Sequence, residues 1–121
     1  MIRTFEELTV ELNDYERGLV PGFIAGFKTK VGPQNAISNR KISEAYKEQK
    51  LSGARIRKII QYIRMNQFAE NWFEGRILVA NSAGYFITHD RQIITNWIDS
   101  IEGRINAMRT IQTAAKKYLD K

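Results

Sequence analysis

Ser52-Gly-Ala-Arg-Ile-Arg-Lys-Ile-Ile-Gln-Tyr-Ile-Arg64 decides how this chain is read. Ile56, Ile59, Ile60 and Ile63 recur at the spacing that gathers side chains on one face of a helix. At about 100° per residue, Ala54, Lys58, Gln61 and Met65 take the opposite face, with Arg55, Arg57, Tyr62 and Arg64 on the flanks. Ser52 stands where an N-cap hydroxyl bonds the first unpaired amides. A core helix needs the apolar stripe and not the cations. A helix set into a DNA groove needs both.

Moving upstream, residues 39–46 read as a second helix, with Ile42 and Ala45 inward and Arg40, Lys41 and Glu44 outward. Lys47-Glu-Gln-Lys50 is a polar connector, and Leu51 is apolar just before the Ser52 cap. Helix, short turn and helix therefore span 39–66, the size and order of a helix-turn-helix. Ala36-Ile-Ser38 is long enough for a single β-bridge, and Val31-Gly-Pro-Gln-Asn35 is a turn. Asn13-Asp-Tyr-Glu16 fits a capping box opening a helix from Asp14 to about Lys30. Its apolar face is Tyr15, Leu19, Val20, Phe23, Ile24 and Phe27, and Pro21 is expected to kink or break it. Thr4-Phe-Glu-Glu7 fits an earlier box, predicting a short helix to about Leu12.

Downstream, Arg76-Ile-Leu-Val-Ala80 and Gly84-Tyr-Phe-Ile-Thr88 have strand composition, and Asn81-Ser-Ala joins them. A hairpin directly after the second helix is a β-wing. Gln67–Gly75 is either a loop or part of the first strand, with Phe68, Trp72 and Phe73 covering the core edge. Asp90 can cap a last helix to about Leu119, roughly 45 Å long. Along it Ile94, Ile98, Ile101, Ile105 and Met108 alternate steps of four and three, and Ala115 and Leu119 hold the phase across Gln112. Two coverings for that seam stand open: the N-terminal helices, or a second copy, giving a homodimer through the C-terminal helix. The helix is expected to bury Ile98, Ile101, Ile105 and Met108. The predicted fold is mainly α with a small β-wing. It is a single winged helix-turn-helix domain over 1–121, in which 14–88 hold the helix-turn-helix and wing and 90–119 the C-terminal helix.

Charge sharpens the reading. The net charge is +6, but residues 17–64 carry eleven cations against two acids, while residues 1–16 carry one against five. Segregated basicity favours a polyanion. Nothing combines clustered cations with an exposed aromatic face, which sets nucleic acid above a membrane surface. No apolar run reaches the roughly 18 residues of a membrane span, and the N-terminus lacks the pattern of a signal segment. With no cysteine, disulfides and thiolate metal sites are excluded, and a cytoplasmic location is expected. His89, beside Asp90, is the only histidine. No nucleophile, metal or phosphate-loop motif accompanies it. The expectation is a non-enzyme without cofactor, metal or small-molecule substrate.

The order Val31-Gly-Pro-Gln-Asn-Ala-Ile-Ser-Asn39, Leu51-Ser-Gly-Ala-Arg-Ile-Arg-Lys-Ile-Ile60, Tyr62-Ile-Arg64, Leu78-Val-Ala-Asn-Ser-Ala-Gly-Tyr85 and Ile98-Asp-Ser-Ile-Glu-Gly-Arg-Ile-Asn-Ala107 resembles a group of small phage and prophage proteins. The resemblance covers about Leu12 to Leu119 and departs from the pattern at Gln67–Gly75. It implies a winged-helix DNA-binding protein of phage replication or transcription regulation. On the residues themselves, Arg55, Arg57, Lys58 and Gln61 are expected in the major groove, behind the Ser52 cap. Arg40 and Lys41 would hold phosphates, and Asn81 and Ser82 would touch backbone or minor groove of double-stranded DNA. The alternative is a winged-helix protein-interaction module without DNA contact, which would need apolar residues on the exposed face.

Overall fold

Ile56, Ile59, Ile60 and Ile63 are all enclosed, each at 1% exposure or less. Each such side chain contributes about 1.5–3 kcal/mol of burial, so this stripe is the anchor of the fold. In the computed structural model, which describes residues 11–120, the helix that carries them packs under two shorter ones. They are α1 (Asp14–Lys28), α2 (Asn39–Ala45) and the stripe-bearing α3 (Gly53–Glu70). Strands β1 (Ile77–Asn81) and β2 (Gly84–Thr88) follow, and then α4 (Arg91–Leu119). The chain is mainly helical, with one small antiparallel sheet and a long C-terminal helix. It divides into two compact units, one ending at His89 and the other beginning at Asp90.

In the first unit Val20, Phe23, Ile24 and Phe27 of α1 meet the α3 stripe together with Ile42, Leu51, Phe73, Leu78 and Ile87. Asn13 caps α1 with the expected reciprocal box: its side chain accepts from the Glu16 amide and Glu16 returns the bond. Pro21 neither breaks the helix nor divides it; α1 runs through it. Pro21 and Gly22 lie on the exposed side, where water can serve the carbonyl that proline leaves without a donor. Ser38 and Ser52 cap α2 and α3 through the amides of Lys41 and Arg55, each at 3.1 Å. Ala45, expected inward, is exposed, because α2 ends there and Tyr46 takes the inward place against Phe23, ring centroids 4.8 Å apart. The expected helix from Thr4 falls mostly outside the described residues; Glu11, Leu12 and Asn13 are not helical.

Gln67–Gly75 proves to be neither loop nor strand over its first half. The helix continues to Glu70 and stops at Asn71, whose left-handed backbone (φ 50°) ends it. Phe73 is buried and Trp72 packs beside Tyr62, but Phe68 is 72% exposed and covers nothing. Gln67 is buried: its Oε1 accepts from the Leu78 amide at 2.7 Å, tying α3 to the outer side of β1.

The hairpin pairs Ile77 with Thr88 through Asn81 with Gly84. The linker between α1 and α2 runs along the free side of β2. Ile37 and Tyr85 exchange two bonds (2.9 and 2.8 Å), the Ile87 amide donates to Lys30 and the Gly32 amide to Ile87. The bridge expected near Ile37 is therefore present. Gly84 is required there. Its φ is +136°, and an added Cβ would stand 2.2 Å from the Ile37 carbonyl oxygen.

Asp90 caps α4 through the amides of Gln92 and Ile93. None of its residues is buried. Ile98, Ile105 and Met108, expected in the interior, are exposed, and Ile101 is only half-buried. Among the described residues the heptad-spaced seam remains largely exposed.

Candidate functional site

The outward face of α3 is set by its buried one. With the isoleucines inward, Ala54, Arg57, Gln61, Met65 and Phe68 fall on a single stripe at steps of three and four. Ala54 and Arg57 are exposed, and Gln61 is half-exposed. An added Cβ on Gly53 would meet Arg57 Nη1 at 3.4 Å and Asn39 Oδ1 at 3.6 Å. The Arg57 guanidinium thus lies beside the start of α2, from which Arg40 and Lys41 project outward. Arg40 makes a solvent-exposed contact with Glu44 (3.4 Å), worth a few tenths of a kcal/mol and easily exchanged for another anion.

Arg55 and Lys58 are differently engaged. Both reach α1, where Glu16, only 2% exposed, receives Arg55 Nε on Oε2 at 3.2 Å and Lys58 Nζ on Oε1 at 2.9 Å. Arg55 also lies over the Tyr15 ring, 5.6 Å from its centroid. Burial raises the Glu16 pKa. The Asn13 amide, the Lys58 hydrogen bond and the charges of Lys58 and Arg55 outweigh that and hold the carboxyl below its usual value. The three groups together leave one net positive charge, part of it still facing water through the 40%-exposed Arg55 side chain.

The remaining expected site residues sit in two places. Ser52 accepts from the Arg55 amide and serves as a cap. Asn81 and Ser82 form the exposed hairpin tip, where Asn81 Oδ1 accepts from the amides of Ala83 and Gly84 at 2.8 and 3.2 Å. That carbonyl shapes the turn, leaving the Asn81 amide group and the Ser82 hydroxyl as outward polar groups. Sequence reasoning missed Glu16 as an ion-pair centre, since its capping role already accounted for it. It placed Met65 outward, and Met65 is 65% exposed, but it missed Phe68, expected at the core edge and 72% exposed. The signal for Phe68 was present: it continues the Gln61–Met65 phase, provided the helix is extended past Met65.

A shallow apolar cleft of about 330 Å³ lies between α1 and α2, lined by Phe23, Phe27, Ile42 and Tyr46 among others. Among the described residues no cluster of His, Cys, Asp or Glu could hold a metal ion, and no helix is long and apolar enough to cross a membrane. Comparisons with protein-family models, with curated proteins and with solved structures find no match to this chain.

Proposed function

We propose that residues 14–88 form a winged helix-turn-helix that binds double-stranded DNA, as a binding protein and not an enzyme. The observation that carries this reading is the outward face at the α2–α3 junction. There Arg57 lies near the start of α2, on which Arg40 and Lys41 are exposed, and both helices begin at a serine cap, while the opposite face of α3 is core. The order helix, helix, turn, helix, hairpin, with the linker bridged to β2, supports the winged form. Arg57 and Gln61 read base edges, with Arg55 beside them and Lys58 behind, both steadied by Glu16. Arg40 and Lys41 take phosphates, and the Asn81–Ser82 tip touches the backbone or minor groove. The resemblance to phage and prophage proteins supplies the setting, replication initiation or transcription regulation in the cytoplasm.

Fluorescence anisotropy on random and phage-origin duplexes across a salt series tests this. Binding that weakens steeply with salt and favours one sequence supports it; no binding at low salt overturns it. A protein-interaction module is the second reading, and Met65 and Phe68 favour it, since a face this apolar over its C-terminal half suits a protein partner.

A further inference from the structure

We propose that α4 is the dimerisation element of this protein and that it pairs with α4 of a second copy in antiparallel orientation. The inference is independent of the DNA reading. The seam from Ile94 through Ile98, Ile101, Ile105 and Met108 to Leu119 keeps heptad spacing, and no described residue of α4 is fully buried, Ile94 and Ile101 being half-buried and the rest of the seam exposed. Charge decides what covers it. From Asp90 to Gly103 there are three acids and one cation; from Arg104 to Leu119 there are four cations and no acid. Parallel pairing lays acidic half on acidic half and basic on basic. Antiparallel pairing lays each on its opposite, and it also opposes the two helix dipoles.

The flanking positions agree. Set antiparallel with Ile105 of one copy against Met108 of the other, the seam overlaps over nearly the whole helix. Glu102 then faces Arg109 of the second copy, twice by symmetry, and Trp97 faces Tyr118, also twice. Set parallel in register, Arg104 faces Arg109 twice and Trp97 faces Glu102. Gln112 is the one residue that parallel pairing serves better, because two copies would share a layer and bond each other. Antiparallel pairing places it opposite Ile101, where its amide can turn to solvent at the rim. One polar layer is outweighed by two ion pairs gained, two repulsions avoided and the match of the two halves.

The test is made on the full chain. Sedimentation equilibrium should show a dimer at high micromolar concentration; a monomer, a trimer or a tetramer overturns the proposal. Arg109→Glu sits on the solvent-exposed helix, so folding of the first unit is unaffected. It should weaken the dimer on the order of tenfold, because the introduced carboxylate then faces Glu102 of the second copy. Glu102→Arg added to it should restore the parent affinity. A parallel dimer predicts the opposite, tighter association from Arg109→Glu alone. Because the chain has no cysteine, introduced pairs report orientation directly. Ile98→Cys mixed with Ala115→Cys should give the crosslinked heterodimer, while Ala115→Cys oxidised alone and linking to itself overturns antiparallel order.

Discussion

Glu16 is the residue on which stability and the basic face meet. Replacing it with Gln keeps the shape but leaves Arg55 and Lys58 without their anion. Both can partly re-solvate, so the expected loss is about 1–3 kcal/mol at neutral pH. The pH dependence follows from the direction of the shift. The folded-state pKa lies below the 4.5 of an ordinary glutamate. Its contribution is therefore fully present above that value, declines below it, and is lost as pH falls through the folded pKa. Urea titrations should show the parent and Glu16→Gln converging in acid; a constant gap would mean that the carboxylate charge is not what matters. The same variant releases a net positive charge onto the outer face. On the DNA reading, its affinity for a duplex should rise and its salt slope steepen by up to roughly one unit. The sequence showed Glu16 as half of a capping box and no more. Its second role depends on Arg55 and Lys58, 39 and 42 residues away, and only tertiary packing brings them together.

At the level of elements, the α3 stripe, the two serine caps and the hairpin were legible, because each rests on local chemistry: apolar periodicity, a hydroxyl ahead of free amides, and β-branched runs around a polar turn. The end of α3 was not. Between Met65 and Glu70 no Gly or Pro interrupts the helix, so only the left-handed backbone of Asn71 marks the stop, and asparagine adopts it without announcing it. Gly84 was legible as a turn residue but for too weak a reason, since what requires glycine is the Ile37 carbonyl approaching from the linker. Gly84→Ala should cost at least about 2 kcal/mol through strain and collision combined. Thermal and urea unfolding measure it, and a loss under half that would show the linker free to move aside.

For the whole molecule, the DNA and protein-partner readings separate by which half of the α3 outer stripe matters. Arg57→Ala should lose roughly 1–3 kcal/mol on a preferred duplex and less on random DNA, while Lys41→Ala should weaken both alike and lower the salt slope by about one. Anisotropy titrations distinguish the two patterns. If both variants bind every duplex as the parent does, and Phe68→Ala instead abolishes capture of a protein partner, the second reading replaces the first. The site was legible as a set of exposed cations on one face. Which of them are already engaged was not, because the pairing partner lies on α1.

The small sheet is occupied along β2, and held at one point along β1, by chain that is not sheet. On one side the Lys30–Ile37 linker occupies β2, and on the other the buried Gln67 carbonyl takes the Leu78 amide. A bare two-stranded hairpin is a template onto which another strand, from any neighbouring molecule, can add itself and begin a fibre. Here the β2 edge is taken before such a strand arrives, and the β1 edge is already engaged at Leu78. Gln67→Ala and Gly84→Ala each remove one guard, and both should shorten the shelf life of concentrated protein. The loss should appear as thioflavin-positive aggregate while most of the protein still gives a folded spectrum.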